Sequence, residues 1–391
     1  MRLTGEKRME PAEDQNLSAL AGPVLIIGTG LLGASVGLAL RAQKIPVYLS
    51  DVSPTIEAIA EDIGAGRSLR AVATERGVAP SDLRQLLGSE PQLVVVAAPP
   101  DVCAQIVVEQ LTLWQHAVVI DIASVKLSIL QQVQQSGVDT SRYLGTHPMA
   151  GREKSGPVAA RGELFTSRPF VVCKHPDVSP TAVRLAQTMG IEMGSTLTYL
   201  DAAEHDRAVA LISHVPQVMS SLMASRLQET PLYALGLAGQ GLRDTVRIAG
   251  SDPGLWIQIL AANSENIVPT LLGVRDDLER LITTLENPTA AGARLDIAQL
   301  MSEGNAGVAR IPGKHGGAPE AFSQLTVLVD DTPGQIARLL IDIGELGVNI
   351  EDLRLEHSPG QPVGMAEISV NPNEHEKLVE DLTSAGWKVV R

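Results

Sequence analysis

The chain has 391 residues, which is too long for one ordinary domain and predicts two or three. Hydrophobic residues make up 44% and aromatic residues only 3%, so the cores must be built from Ala, Val, Leu and Ile. The formal net charge of −14 argues against nucleic acid or an anionic membrane as a partner, but a few arginines still allow an anionic small molecule.

The beginning of the chain predicts no membrane span. Residues 1–20 are polar and aperiodic, and we expect a disordered tail. Residues 22–40 carry no charge and approach the length of a span. Five glycines interrupt this run and no signal-peptide pattern precedes it, so a buried strand turning into a buried helix explains it better.

Residues 21–198 alternate short β-rich runs with helical stretches. We predict strands at 24–27, 47–49, 93–97, 118–120, 143–145 and 170–173, and helices at 31–42, 55–63, 102–111 and 126–135, with a small helical excursion over 68–89. The strands are rich in Val and Ile with little alternation, which indicates burial on both faces. The pattern predicts an α/β domain with a doubly wound parallel sheet covered by helices.

Residues 199–300 are predicted to form an all-helical domain, since there is no convincing strand from Ala202 to about Leu285. Long apolar helical segments cover 203–228 and 255–285. They must pack against the first domain, form the core of a dimer, or do both. Pro216 removes a backbone hydrogen bond inside the first segment, and the resulting kink is expected to aim Ser213 and His214 at a cleft.

The last part of the chain predicts a separate small domain. Residues 287–319 contain Pro and Gly clusters typical of a linker, and we place the linker between domains at 301–320. Residues 321–391 then give strands at 324–329, 350–356, 365–370 and 388–390, and helices at 334–346 and 374–385. This βαββαβ order is typical of ferredoxin-like modules.

A glycine-rich loop follows the first strand. The sequence Gly28-Thr29-Gly30-Leu31-Leu32-Gly33 stands between a strand and a helix, the context that a dinucleotide-binding loop of a Rossmann-type domain requires. Its first glycine permits the tight turn, the second lets the backbone approach a pyrophosphate, and the third lets helix and strand pack closely. The N-terminus of the helix offers N–H groups to the phosphates.

An acidic residue closes the second strand and favours NAD over NADP. A carboxylate at Asp51 accepts both ribose hydroxyls of NAD and repels the 2′-phosphate of NADP. The alternative is that Asp51 caps the helix that starts at Pro54. We also assign Ala98 and Pro99, which follow the strand at 93–97, to the cofactor site.

Four polar clusters fall where strands end or where the helical domain begins. The first covers residues 121–126 and contains Ser124, and the second covers 145–156 and contains His147 and Glu153. The third covers 213–217 and contains His214, and the fourth covers 241–253 and contains Arg243 and Arg247. His147 ends a predicted strand at the ligand-binding edge of the sheet and suits a general base, although a histidine before proline is often only a turn residue. Arg243 and Arg247 are one helical turn apart and are expected to share a face.

With these clusters, residues 22–285 resemble the prephenate and arogenate dehydrogenases of tyrosine biosynthesis. The resemblance implies that Ser124 and His147 are the catalytic pair beside the nicotinamide, and that Arg247 binds the side-chain carboxylate. It places further substrate contacts in the same pocket, at Glu153, Ser213, His214, Gln217 and the neighbouring Arg243. Many relatives carry histidine where this chain has Gln217, which cannot become cationic.

The resemblance implies a cytoplasmic homodimer that oxidises prephenate to 4-hydroxyphenylpyruvate with NAD and loss of CO₂. Arogenate, which would give tyrosine directly, is the alternative substrate. A catalytically inactive NAD-binding sensor is the alternative from a different class. The sequence contains no cysteine pair with metal-ligand spacing, since only Cys103 and Cys173 are present, and we expect no metal.

The C-terminal module resembles an ACT domain, an amino-acid-sensing unit of biosynthetic enzymes. The motifs are Asp331-Thr-Pro333-Gly334 at the strand-to-helix turn and Gly347-Val-Asn349-Ile-Glu-Asp352 before the second strand. The resemblance implies tyrosine as a possible effector, and the alternative is a purely structural dimerising module.

Overall fold

A computed structural model describes residues 20–152, 154–312, 322–357 and 362–390. The chain divides into two compact units. The first comprises the chain up to Ser225 together with residues 246–273, and the second comprises residues 226–245 and the chain from residue 274 onward.

The first unit is built on a sheet of eight strands. The strands are β1 (Val24–Ile27), β2 (Val47–Ser50), β3 (Arg67–Ser68), β4 (Leu93–Val96), β5 (Val118–Asp121), β6 (Tyr143–Pro148), β7 (Pro169–Cys173) and β8 (Thr196–Leu200). Their order in the sheet is β3-β2-β1-β4-β5-β6-β7-β8. All neighbouring strands are parallel except β6 and β7, which are antiparallel. This confirms the predicted doubly wound parallel sheet, except that the pair β6–β7 is antiparallel.

The strand order reverses between β1 and β4, and this point defines the ligand edge of the sheet. The chain leaves β1 towards β2 and β3 on one side, and continues from β4 on the other. In doubly wound sheets the carboxyl ends of the strands form a crevice at such a point, and ligands bind there. The glycine-rich loop follows β1 directly, so it lies at this crevice.

Helices cover both faces of the sheet. They are α1 (Leu31–Ala42), α2 (Pro54–Asp62), α3 (Leu69–Arg76), α4 (Leu83–Leu87), α5 (Pro100–Leu113), α6 (Leu127–Gln135) and α7 (Pro180–Glu192). One core contains β-strand residues with α1 and α7, and the other contains residues of α5 and α6. Successive strand residues serve opposite faces, since Leu25 lies in one core and Ile26 in the other. The uncharged run at 22–40 forms β1 and α1, whose side chains are mostly buried.

Helices follow the sheet without further strands until residue 308. They are α8 (Ala202–Val209), α9 (Val215–Ser225), α10 (Leu232–Leu235), α11 (Gln240–Val246), α12 (Pro253–Ala262), α13 (Ser264–Glu286) and α14 (Ala293–Val308). Within the described residues, the helical stretch Ala202–Glu229 is the one long and apolar enough to cross a membrane, and a third of its most apolar window is buried. His205 and Asp206 are buried inside it, as expected of a helix packed in a globular domain.

Helix α14 occupies residues that the sequence assigned to a linker. Asp296 accepts a hydrogen bond of 2.6 Å from the Thr284 hydroxyl and pairs with Arg280 at 3.5 Å, which fixes α14 against α13. Gly304 and Gly307 cost the helix only about 1 kcal/mol each, so good helix formers elsewhere in α14 outweigh them. The prediction of an irregular segment from 287 was therefore wrong for Ala293–Val308, and residues 313–320 lie outside the described part.

The C-terminal module has the predicted βαββαβ order. It consists of β9 (Ser323–Asp330), α15 (Gln335–Glu345), β10 (Asp352–His357), β11 (Val363–Val370), α16 (Pro372–Ser384) and β12 (Lys388–Val390). The antiparallel sheet has the order β10-β11-β9-β12. The module has its own core, in which Val327 and Ile368 of the sheet pack with Leu339 and Leu378 of the helices.

Candidate active site

The three glycines of the loop after β1 have the geometry that a dinucleotide requires. Gly28 has φ +92°, which favours glycine, and a Cβ on it would overlap the Ala97 carbonyl oxygen. A Cβ on Gly33 would overlap the Gly28 carbonyl oxygen, so α1 lies against the loop only because residue 33 is glycine. Around Gly30 no protein atom lies within 4 Å of the Cβ position, and this open space fits a pyrophosphate.

Asp51 is fixed beside that loop by hydrogen bonds. Its Oδ2 accepts from the backbone N–H of Thr29 at 2.7 Å and from the Thr29 hydroxyl at 3.1 Å. Its Oδ1 accepts from the Ser53 N–H at 2.9 Å, while the Ser53 side chain caps α2 by accepting from Ile56. Asp51 is therefore not the cap of α2, and its carboxylate is oriented at the end of β2.

Residues of α2 and α3 that the sequence did not single out support Asp51. The buried Glu57 accepts hydrogen bonds from the Asp51 N–H at 3.0 Å and from the Ser68 hydroxyl at 2.5 Å. Arg70 donates to the Asp51 carbonyl at 2.9 Å. An acidic residue six positions after Asp51, on the inner face of an amphipathic helix, is the signal that would have indicated this contact.

The other residues predicted to contact the cofactor lie at the same crevice. The half-buried Leu31 and Leu32 begin α1, directly after the loop. Ala98 and Pro99 follow β4, the neighbour of β1 on the far side of the strand reversal, and Pro99 precedes the first residue of α5. The structure thus places these residues at the carboxyl ends of β1, β2 and β4, while Ser124, also predicted to contact the cofactor, follows β5.

His147 lies within β6 and is only 8% exposed. Ser124 follows β5, the strand paired with β6, so these two residues lie at neighbouring strand ends. Burial lowers the pKa of His147 well below its ordinary value of 6.5, with smaller contributions in the same direction from His205 and Lys126. At neutral pH the imidazole is therefore unprotonated, which is the form that accepts a proton.

Helix α8 brings a second buried histidine to His147. His147 Nδ1 lies 2.8 Å from His205 Nε2, and His205 Nδ1 lies 2.8 Å from Asp206 Oδ1. His205 and Asp206 are not among the site residues predicted from the sequence. The one signal in the sequence was an adjacent His-Asp pair in the first turns of a helix that starts at a capping box.

The polar cluster at 121–126 is mainly structural. Lys126 is buried and its ammonium group contacts Asp121, which also accepts a 2.8 Å hydrogen bond from the Tyr143 hydroxyl. A buried charge pair with a further hydrogen bond holds its surroundings firmly. This pair therefore anchors the segment that carries Ser124.

The predicted kink before Pro216 is a turn of π-helix over Ala210–His214. Pro216 has no N–H to donate, and π-turns inside α-helices often occur at functional sites. The turn buries His214 while Ser213 stays half-buried. His214 Nδ1 lies 3.0 Å from the Asn263 side-chain nitrogen, which also donates to the Asp206 carbonyl at 2.8 Å. Burial lowers the pKa of His214 to about 4.

The remaining predicted substrate contacts differ in their placement. Gln217 is buried and its Oε1 lies 3.4 Å from the Ser251 hydroxyl, so it links α9 to the turn that carries Arg247. Arg247 is exposed and begins a 3₁₀ turn, Arg247–Gly250, in the first unit. Glu153 lies outside the described residues.

That Arg243 and Arg247 share one helical face stays a prediction. Helix α11 ends at Val246, between the two arginines, because the backbone tightens there into the 3₁₀ turn that ends at Gly250. Arg243 also belongs to the second compact unit.

The described residues contain no group of three or more His, Cys, Asp or Glu side chains that could hold a metal ion. Cys103 and Cys173 are both buried free thiols. Burial raises the pKa of Cys173 to about 12, so neither its surroundings nor its ionisation suits a nucleophile.

A doubly wound sheet with this loop and a buried unprotonated histidine defines a nucleotide-dependent oxidoreductase. Two family models match the chain: "Prephenate dehydrogenase, nucleotide-binding domain" over residues 36–199 and "Prephenate dehydrogenase, dimerization domain" over residues 201–302. The chain belongs to the prephenate dehydrogenase family. This confirms the predicted family, the nucleotide-binding domain and a helical dimerisation domain.

Individual relatives cover nearly the whole chain. A probable prephenate dehydrogenase, NovF, of Streptomyces niveus is 34% identical over 93% of this chain and 98% of its own length. The prephenate dehydrogenase of Bacillus subtilis (strain 168) is 24% identical over 94% of this chain and 97% of its own.

A solved structure shows the same fold. The prephenate dehydrogenase of A. aeolicus, in complex with hydroxyphenyl propionate and NAD⁺, matches with a TM-score of 0.61 at 23% identity, covering 73% of this chain and 98% of that one.

Proposed function

We propose that this protein is a prephenate dehydrogenase that converts prephenate to 4-hydroxyphenylpyruvate and CO₂ with NAD⁺ as the oxidant. The observation that carries the proposal is His147, a buried histidine of lowered pKa in β6, at the ligand edge of a nucleotide-binding sheet. The names of the two relatives that span the whole chain support the choice of substrate.

The residues of the loop after β1 fit NAD. The open space at Gly30 accommodates the pyrophosphate, and the oriented carboxylate of Asp51 accepts hydrogen bonds from the ribose hydroxyls. Because Asp51 is an anion, it disfavours binding of the 2′-phosphate of NADP by about 2–4 kcal/mol at an effective dielectric near 20. Bound at this edge, the nicotinamide ring supplies the hydride acceptor.

The chain itself has to move one proton and hold one anion. His147 accepts the proton of the substrate 4-hydroxyl as that carbon loses its hydride, and loss of the ring carboxylate as CO₂ restores the aromatic ring. Such a base contributes about 10²–10⁴-fold to the rate. Ser124 donates a hydrogen bond within the same site, and Arg247 binds the side-chain carboxylate with its planar guanidinium. Glu153, Ser213, His214 and Gln217 complete the pocket in this proposal.

The protein acts as a homodimer in the cytoplasm. One family model describes residues 201–302 as a dimerization domain, and the helices of this region carry exposed apolar side chains, among them Leu222, Met223, Leu278 and Ile282. Large exposed apolar surfaces mark protein interfaces. Light scattering after size exclusion is expected to give a mass of twice 41.4 kDa.

The test is an assay of NADH absorbance with prephenate and arogenate in turn, each with NAD⁺ and NADP⁺. We expect turnover with prephenate and NAD⁺, with 4-hydroxyphenylpyruvate as the product. Preferred turnover of arogenate to tyrosine would replace the substrate but keep the mechanism. NAD⁺ binding without turnover of either substrate would indicate the inactive sensor instead.

A further inference from the structure

A chain of three buried side chains leads from His147 into the protein. His147, His205 and Asp206 are 8%, 0% and 1% exposed, and their contacting atoms lie 2.8 Å apart in both steps. The two imidazole rings meet edge to face, with centroids 5.0 Å apart and planes at 70°. This geometry suits an N–H of one ring directed at the nitrogen lone pair of the other.

Several hydrogen bonds hold Asp206, the end of this chain of side chains. Asp206 Oδ1 accepts from the Lys126 N–H at 2.8 Å and Oδ2 accepts from the Leu127 N–H at 2.9 Å, at the beginning of α6. The Asp206 carbonyl accepts from Asn263 at 2.8 Å. Both carboxylate oxygens are thus held by the N-terminus of a helix, whose dipole favours a negative charge there.

The hydrogen bonds define which nitrogen carries each hydrogen. A carboxylate only accepts, so His205 Nδ1 carries a hydrogen and donates it to Asp206. A neutral imidazole carries one ring hydrogen, so Nε2 of a neutral His205 is the acceptor and His147 Nδ1 is the donor. His147 is left with its lone pair on Nε2, which is the nitrogen available to a substrate.

We propose that His205 and Asp206 are positioning residues that hold His147 as the Nδ1–H tautomer and stabilise its cation. This inference rests on the proposed function, in which His147 is the base. During the reaction the substrate O–H bond breaks and an Nε2–H bond forms on His147, while the oxygen keeps the electron pair and becomes the carbonyl oxygen. The positive charge on His147 is then shared through two hydrogen bonds with the Asp206 carboxylate, as in other histidine–carboxylate pairs of enzymes.

Other charged and titratable groups also face His147. Lys126 approaches from the start of α6 and is paired with Asp121 of β5, and His214 approaches from the π-turn. These groups are unchanged when His205 is replaced. A shift of the pH profile in a His205 variant therefore reports the loss of the contact with His205 and Asp206.

The first experiment reads the tautomer by NMR of the full-length protein labelled with ¹⁵N-histidine. The His147 signal is identified by its loss in His147→Gln. We expect the wild-type signal of a protonated Nδ1 and an unprotonated Nε2. His205→Leu removes the acceptor of the Nδ1 hydrogen of His147. In this variant we expect the ring hydrogen of His147 to move to Nε2. A wild-type His147 that carries its hydrogen on Nε2 would overturn the proposal.

The second experiment measures rates. In His205→Leu we expect kcat to fall about 10²–10³-fold, with the KM of both substrates within about threefold, because the residue touches neither. The acid limb of its pH profile should move to lower pH, because leucine cannot accept the Nδ1 hydrogen of the His147 cation as a neutral His205 does. The lowering of the His147 pKa by His205 arises only when both rings are charged. In His205→Gln the amide oxygen can accept the Nδ1 hydrogen of His147. We therefore expect its kcat to be at least tenfold higher than that of His205→Leu.

His175→Gln is the matched control, because His175 is also buried but bonds to the Tyr143 carbonyl through Nε2 at 3.0 Å. It should leave the His147 signal unchanged and kcat within about twofold. Wild-type kcat in His205→Leu would overturn the proposal. A protein that oxidises neither substrate, yet shows the tautomer change in His205→Leu, would support the positioning role and refute only the proposed reaction.

Discussion

At the scale of single residues, Asp51 is the simplest determinant of cofactor choice. Thr29 and Ser53 orient its carboxylate before any ligand binds. In Asp51→Ser we expect the KM for NAD⁺ to rise about 10–100-fold, because a charge-assisted hydrogen bond is worth about 1.5–3 kcal/mol. The preference for NAD⁺ over NADP⁺ should fall by a similar factor or more, measured as the ratio of kcat/KM. Asp62→Ser, an exposed change on α2, is the control, and equal effects in both variants would refute the role.

Arg247 is predicted to bind the carboxylate of the substrate side chain. Arg247→Ala should raise the substrate KM by about 10–150-fold, the equivalent of about 1.5–3 kcal/mol, because a charge-assisted contact is lost. Arg243→Ala should have a smaller effect, since the resemblance assigns the carboxylate contact to Arg247 and makes Arg243 only its neighbour. Steady-state kinetics of both variants decide the matter, and an unchanged KM in Arg247→Ala would assign the carboxylate to another group.

The sequence identified the residues that follow predicted strands, such as His147 and Asp51, because strand ends meet at one edge of a parallel sheet. It did not identify His205, whose contact with His147 joins residues 58 positions apart. No periodicity or motif encodes the approach of α8 to β6. The contact between these two buried side chains becomes visible only in the three-dimensional structure.

At the scale of elements, two glycines between β1 and α1 have different roles: Gly33 allows close packing, and Gly30 leaves space for the cofactor. In Gly33→Ala the new methyl group overlaps the Gly28 carbonyl, so we expect a loss of stability of about 1–3 kcal/mol or more and weak binding of NAD⁺. In Gly30→Ala the methyl group meets only open space, so the melting temperature should stay the same while the KM for NAD⁺ rises. Calorimetry and kinetics of both variants test this. An equal melting temperature in Gly33→Ala would contradict the close packing.

Element boundaries were predictable where residue pattern and capping agreed, as in the glycine-rich turn between β1 and α1. The pattern misled where glycines stand inside a helix, as Gly304 and Gly307 do in α14. Contacts with α13, including the hydrogen bond from Thr284 to Asp296, stabilise that helix, and this bond joins residues 12 positions apart in the sequence.

At the scale of the whole molecule, the βαββαβ module begins beyond residue 302, where the family models end. We propose that it binds an amino acid, tyrosine, at the turns near Gly334 and Gly347, which have φ of +91° and +74°. Backbone N–H and C=O groups at such turns can bind the charged ends of an amino acid. A coupling of about 1–3 kcal/mol would give 5–150-fold inhibition.

A chain truncated before Phe322 should remain an active dehydrogenase and lose this inhibition. The measurement is the tyrosine dependence of kcat and KM for the full and the truncated chain. The module has its own hydrophobic core, so tyrosine binding to residues 321–391 alone can also be measured by calorimetry. Inhibition of equal strength in both chains, without binding to the module, would place tyrosine in the active site.

The central claim, that His147 is the base of a prephenate dehydrogenase, is tested most directly by the rate of His147→Asn with prephenate and NAD⁺. We predict that kcat falls by about 10²–10⁴-fold while the dissociation constant of NAD⁺ stays the same, because the variant loses the proton acceptor and keeps the cofactor loop. The wild-type protein should retain activity below pH 6.5, since the lowered pKa keeps His147 unprotonated there. A kcat near that of the wild type in His147→Asn would contradict the account.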